Sequence, residues 1–139
     1  MNIEFLSTIA VISPDPPASL GLYRDALGLP LGSHDGDYHH SEKIAGCKSF
    51  GIWPLTQAAE ACFGNPQWPA DRLIPQISIE FDVPSAAAVD PAARELQQAG
   101  YELLHAPRLE PWGQTVARLQ SPEGAIVGIS HAPILHEAN

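Results

Sequence analysis

An internal repeat limits what this chain can fold into more than any other feature of it. An apolar strand, Ile9-Ala10-Val11-Ile12, meets Pro14 and then a helical stretch from Leu20 to Leu27 that stops at Gly28. About seventy residues later the plan recurs: Ile77, Ile79, Phe81 and Val83 alternate with Ser78, Glu80 and Asp82, Pro84 ends the strand, and a helix through Leu96 stops at Gly100. A duplicated strand-helix-strands unit implies two similar curled sheets with a cleft between them. The side chains on the inner face of that cleft then decide its chemistry.

In the first unit the pattern predicts a strand over 3–12, a helix over 17–27 and strands near 29–34, 37–44 and 47–54. Gly32 to Gly36 and Ala45-Gly46 punctuate the hairpins, and Gly28 is placed to end a helix in the left-handed region. Thr56 precedes a short helix, 57–63, that stops at Gly64. The prolines between Asn65 and Pro75 make 65–75 a linker rather than an element. The expected organisation is one domain: module one over 1–64, the linker over 65–75 and module two over 76–139.

The second unit opens on the cleanest alternation in the chain. Its period of two puts Ile77, Ile79, Phe81 and Val83 on a face that packs against a helix, and Ser78, Glu80 and Asp82 on the other. Asp90-Pro91 suits a helix start, with Ala92, Leu96 and Ala99 as its apolar stripe. Tyr101 to His105, Gln114 to Gln120 and Ala125 to Ser130 supply three more strands, the last two joined by the turn Ser121-Pro122-Glu123-Gly124.

Composition then removes whole classes of function. With 139 residues and 45% hydrophobic content, the chain can bury one domain's core unaided. Seven Lys plus Arg against sixteen Asp plus Glu give a net charge of −9, which repels a phosphate backbone, so nucleic acid is not an expected partner. Cys47 and Cys62 lie in no metal-finger or CxxC spacing and read as reduced, packed thiols. No apolar run approaches the roughly 20 residues of a membrane span, and the start of the chain has no basic leader pattern. A cytoplasmic protein with no membrane partner is the expectation.

Two stretches carry a resemblance. Leu22-Tyr23-Arg24-Asp25-Ala26-Leu27-Gly28-Leu29 resembles the helix-ending "FYRDVLGL" motif of the vicinal oxygen chelate superfamily, in its glyoxalase, bleomycin-resistance and dioxygenase branch. Pro111-Trp112-Gly113-Gln114 followed by Ser121-Pro122-Glu123-Gly124 resembles that family's "WG…DPxG" signature. The resemblance implies an α+β fold of two βαβββ modules around a ligand cleft, commonly completed by a homodimer whose chains both line each cleft.

The resemblance also implies, for the catalytic members, a divalent metal held by His, Glu or Gln. Matched position by position, the ligand on the first strand falls at Thr8, its counterpart in the second module at Ser78, the carboxylate after the "DPxG" turn at Gly128, and the fourth near Gly51 or Trp53. None of these is a metal-binding set, so no metal and no cofactor is expected in the cleft. Small residues there, with Ala10, suggest an open pocket. Glu80 points into it by alternation and needs a cation, a hydrogen bond or water, and Arg118 on a neighbouring strand is a candidate partner. Glu80 reads either as a ligand-orienting or general-base carboxylate or as a solvated rim residue.

Tyr38, Phe50, Trp53 and Trp112 cluster where the family binds ligands and invite a planar aromatic ligand, although ordinary core packing explains any one of them. Trp68 reads as a clamp on the linker, a dimer contact or a lid. Adjacent His39 and His40 face opposite sides of a strand, so one of them, with Glu42 and Tyr38, can enter a proton relay. His34, His105, His131 and His136 read as surface residues. Two functions follow: a metal-free protein that sequesters an aromatic or cationic antibiotic-like small molecule, with Thr8, Tyr38, His40, Phe50, Trp53, Ser78, Glu80, Trp112, Arg118 and Gly128 as candidate binding residues, or a lyase, isomerase or dioxygenase-like enzyme using Glu80 or His40.

Overall fold

A computed structural model describes residues 1–33 and 36–137 of the chain. The reading of His34 as a loop residue therefore lies outside the described residues. β1 (Phe5–Ser13) leads into α1 (Pro16–Leu20), which widens into a π-helical segment, Gly21–Ala26. β2 (His39–Ser41), β3 (Ser49–Pro54) and α2 (Leu55–Phe63) complete the first half. β4 (Ile77–Asp82), a 3-10 turn (Ala86–Ala88), α3 (Val89–Gln98), β5 (His105–Leu109), β6 (Thr115–Gln120), β7 (Ile126–His131) and a last 3-10 turn (Pro133–His136) follow.

Local sequence explains the boundaries. The Asp15 side chain accepts from the Ala18 backbone N–H at 3.3 Å, and two prolines fill the first turn of α1, where their missing N–H groups cost nothing. Leu27 N–H reaches back to Leu22 at 2.9 Å, a five-residue bond that widens the helix before Gly28 ends it at φ 73°. Gly64 ends α2 in the same left-handed way.

The seven strands among the described residues form one sheet in the order β2-β3-β1-β4-β7-β6-β5. β1 and β3 run parallel, as do β4 and β7, and the two halves meet where β1 and β4 pair antiparallel. The first strands of both modules are thus neighbours within one chain, and a single chain carries one concave face across both modules.

Several predicted elements moved. The strand expected over 29–34 is reduced to one bridge between Gly32 and His40. Pro30 offers no N–H to a ladder, and Leu31 instead tucks into the core with Leu20 and Ile52. The strand expected at 101–105 begins only at His105, because Tyr101 N–H still closes the end of α3 by bonding Leu96 at 3.1 Å. Ala99 is exposed at that helix end rather than part of the stripe, and Ala93 is buried beside Ala92 in its place.

Two apolar clusters cover the helix side of the sheet: Leu20, Leu31 and Ile52 under α1, and Val83, Val89, Ala92, Ala93, Ala117 and Ile129 under α3. A third joins α2 to the opposite, concave face through Ile12, Ala58, Cys62 and Ile126, with Trp53, Phe63 and Trp68 packed on it. α2 therefore closes one end of the concave face, and the linker is held there: Trp68 meets Phe63 edge-on at 5.0 Å and donates to Leu73 O at 2.9 Å.

Candidate functional site

Strand register assembles the concave face row by row, because directly paired residues share a face of a sheet. One row crosses six strands through Ser49, Thr8, Glu80, Gly128, Arg118 and His105. The next runs through His40, Gly51, Ala10, Ser78, Ile126 and Gln120. Of the predicted site residues, Thr8, His40, Ser78, Glu80, Arg118 and Gly128 all lie on this face.

Two predicted members do not. Phe50 pairs with Ile9 on the helix side, where it packs against Tyr23 at 5.9 Å between ring centres in the core under α1. A one-residue step along a strand reverses the face, and Trp53, three residues on, is on the concave side. Trp112 stands 62% exposed on the hairpin between β5 and β6. It acts at one remove: its indole N–H donates to Gln114 Oε1 at 2.8 Å, which turns the amide nitrogen of Gln114 toward the Glu80 carboxylate.

Glu80 is the centre of the row. It is buried, and burial pushes its pKa upward, while Arg118, Gln114 and Thr8 pull the other way and Asp82 adds to the rise. Arg118 Nη2 lies 4.0 Å from Glu80 Oε2, so the two form a loose ion pair rather than a hydrogen-bonded fork.

Arg118 is fully buried and shared. Its Nη1 donates to His105 Nε2 at 3.1 Å and lies 3.5 Å from Glu110 Oε2, its guanidinium sits 5.4 Å from the Trp53 ring centre, and its Nε–H has no hydrogen-bond partner among the described residues. His105 Nδ1–H donates to Ala106 O at 2.7 Å, which fixes the neutral tautomer able to accept from Arg118. Burial, helped by Arg118 and Arg108, lowers the His105 pKa to about 4. Glu110 is held from its other side by Arg108 at 2.6 Å, and Arg108 also donates to Ala61 O at the end of α2.

Sequence reasoning missed Glu110, Gln114 and Arg108, and read His105 as a surface residue. The signal was the β5–β6 hairpin register, which sets His105 opposite Arg118, but the misplaced strand 101–105 hid it.

The open pocket expected from the small residues is filled by the protein's own side chains. A Cβ at Gly51 would stand 2.6 Å from Tyr38 Oη, and one at Gly128 would stand 3.0 Å from Glu80 Cγ. Both glycines are there so that Tyr38 and Glu80 can lie across the sheet, since interiors pack to near-crystal density and leave few voids. Tyr38 stacks on His40 at 5.1 Å, and burial with the nearby Glu80 and Glu42 raises its phenol pKa. Two surface depressions lie away from this row: one of about 440 Å³ is lined by Ala86, Asp90, Pro107, Arg108 and Thr115, and one of about 250 Å³ by Ser13, Pro14, Asp37 and Thr56.

A family-type metal does not fit this row. Glu80, not Ser78, stands in line with Thr8 and Gly128, so these three positions offer one carboxylate and one hydroxyl, His105 at the far end of the row is already engaged by Arg118, and the space a ligand at 51 or 128 would need is taken by Tyr38 and Glu80.

Comparison with known proteins agrees with the architecture. Among solved structures, a hypothetical protein from Bacillus halodurans C-125 is 18% identical with a TM-score of 0.63, each chain covered to 97%. A methylmalonyl-CoA epimerase from Streptomyces coelicolor, solved as a single-site variant in complex with 2-nitronate-propionyl-CoA, is 13% identical with a TM-score of 0.60, covering 99% of this chain and 100% of its own. A glyoxalase/bleomycin resistance protein/dioxygenase superfamily member from Vibrio splendidus 12B01 is 13% identical with a TM-score of 0.59, covering 92% and 100%. These likenesses are likenesses of fold. No curated protein matches. A family profile matches residues 6–129, nearly the whole chain, and by it this protein belongs to the Glyoxalase/Bleomycin resistance protein/Dioxygenase superfamily.

Proposed function

We propose that this protein binds a small polar, cationic organic molecule on its concave face, that binding does not depend on a metal in that face, and that its role is sequestration of an antibiotic-like compound. The observation that carries this reading is the buried Glu80 carboxylate, set in line with Thr8 and Gly128 and paired only loosely with Arg118. An ammonium group brought to Glu80 would supply the close partner that Arg118 at 4.0 Å does not. The net charge of −9 favours approach of a cation.

The aromatic half of the ligand description has less support. The Trp53 ring already faces Arg118 and Tyr38 already stacks on His40, so an aromatic ligand would have to displace one of them. Tyr38, lying over Gly51, is the side chain that must swing away to admit any ligand.

Chelator-treated protein screened by thermal shift against aminated and glycopeptide drugs tests this. The reading requires a ligand of about micromolar affinity or better, roughly −8 kcal/mol, whose binding is lost in Glu80→Gln and unchanged by chelator. Binding that needs added metal, or that ignores Glu80→Gln, contradicts it.

A second reading is favoured by the burial of Glu80, which shifts its pKa upward, the direction a general base needs. Glu80 would then move a proton on a bound substrate, as a lyase or isomerase, with His40 as the alternative acid-base group beside Tyr38. Turnover of the ligand, abolished by Glu80→Gln, decides for it.

We also propose a cytoplasmic homodimer joined through the outer surfaces rather than through the cleft, because one chain carries a concave face across both of its modules. Isologous pairs are the commonest oligomers. Light scattering that finds only the 14.9 kDa chain at micromolar concentration overturns this.

A further inference from the structure

One cluster of potential ligands lies outside the row of Glu80. Asp82, fully buried at the end of β4, accepts from Ser130 Oγ through Oδ1, and from Ala132 N–H through Oδ2 at 2.8 Å. His136, on the last 3-10 turn, brings Nε2 to 2.8 Å from the same Oδ2, and its Nδ1 is 3.4 Å from Glu4 Oε1. His131 Nδ1–H donates to Val83 O at 3.0 Å, which leaves the lone pair on Nε2. The two imidazole rings are 4.1 Å apart, and one ligating atom from each of Asp82, His131 and His136 falls within 4.8 Å of the others.

His136 packs against two rings, Phe5 at 4.6 Å and His131 at 4.1 Å between centres, and each of the three groups also has an outer polar partner. Ser130 and Ala132 hold the carboxylate, Val83 O sets the tautomer of His131, and Glu4 receives the far nitrogen of His136. That is the arrangement that orients histidine and carboxylate ligands around a metal. With metal–N and metal–O bonds of about 2.0–2.2 Å, ligand atoms of a tetrahedral site stand about 3.3 Å apart, so the Asp82–His136 contact at 2.8 Å needs to open only slightly. Both histidines are half-buried, which leaves an ion a way in.

We propose that Asp82 Oδ2, His131 Nε2 and His136 Nε2 form a binding site for a divalent transition metal of the zinc class, with water as a further ligand. The metal would sit between Asp82 Oδ2 and His136 Nε2, now 2.8 Å apart, and tie the turn 133–136 to the end of β4. This site shares no ligand atom with the reading above, and the proposal stands or falls separately from it.

The full chain, stripped with chelator, is titrated with Co²⁺ and then Zn²⁺ by visible absorption and calorimetry. The expected result is one Co²⁺ per chain with ligand-field bands of a nitrogen–oxygen site and no thiolate charge-transfer band. Zn²⁺ should displace it and raise the melting temperature by a few degrees. Affinity should fall at least tenfold in His136→Ala and in His131→Ala, while Cys47→Ser binds as the parent does. His136→Gln, which keeps a polar group on Asp82, gives the same result if the alanine variant does not fold. Absence of stoichiometric binding, binding unchanged in the histidine variants, or binding lost in Cys47→Ser overturns the proposal.

Discussion

Arg118→Met is the perturbation that most sharply separates this account from a plain packing account. At an effective dielectric of about 20, attraction is about 4 kcal/mol to Glu80 at 4.0 Å and about 5 kcal/mol to Glu110 at 3.5 Å, before desolvation of all three groups is subtracted. Removing the shared cation leaves Glu80 without a charged partner among the described residues, whereas Glu110 keeps Arg108 at 2.6 Å. Breaking a buried pair from one side costs about 3–5 kcal/mol. Glu80→Gln takes away the opposite charge with a different consequence, because Arg118 keeps Glu110 and His105, and an amide can still meet Thr8 and Gln114. It should lie within about 1 kcal/mol of the parent. The double variant should recover about 1–3 kcal/mol of the loss in Arg118→Met, since the charge left unpaired is now absent. Urea unfolding at pH 7 with unchanged slope measures all four proteins. An Arg118→Met loss below about 1 kcal/mol, or a Glu80→Gln loss equal to it, refutes the claim that Glu80 is the residue Arg118 compensates.

The other outcomes are more local. Gly51→Ala puts a methyl group into the space of the Tyr38 hydroxyl, 2.6 Å away, and should cost about 1–3 kcal/mol in urea unfolding while changing the tyrosine signal in near-ultraviolet circular dichroism; an unchanged spectrum would mean that Tyr38 does not lie there. His105, with a pKa lowered to about 4 from 6.5, should stay neutral by NMR down to pH 5. Its unfolded form binds the proton first, so its contribution to stability falls as pH drops from about 6.5 toward about 4. Glu80 works in the opposite sense. Its folded pKa lies above the ordinary 4.5, so its contribution is greatest below 4.5 and is lost as pH rises through the raised value, and Glu80→Gln should remove that dependence.

Much of the architecture was legible because strand period and turn residues are local. The alternation from Ile77 to Val83 fixed which side of β4 meets α3, and Gly28, Gly64 and Gly100 mark chain turns with positive φ. The arrangement of the strands was not legible in the same way. Pro30 and the inward Leu31 removed a strand whose composition looked adequate, and a delayed helix cap at Tyr101 shifted β5 by four residues from the expected start, 101 to 105. The face of Glu80 was readable, and so was the candidacy of Arg118, but not what covers them. Glycine at 51 and 128 looks the same in sequence whether it opens a pocket or admits a neighbour's side chain, and only the register shows that Tyr38 and Glu80 take the space. The cluster at Asp82 brings together residues 49 and 54 positions apart in the chain, which no local pattern announces.

The measurement that bears most directly on ligand binding at the concave face is a backbone and side-chain NMR titration of chelator-treated protein with a screening hit. The account predicts that shifts concentrate at Thr8, Tyr38, Gly51, Glu80, Arg118 and Gly128, with the same affinity when Zn²⁺ is restored. Shifts confined to the groove at Ala86, Asp90 and Arg108, or binding that appears only with the metal present, would contradict it.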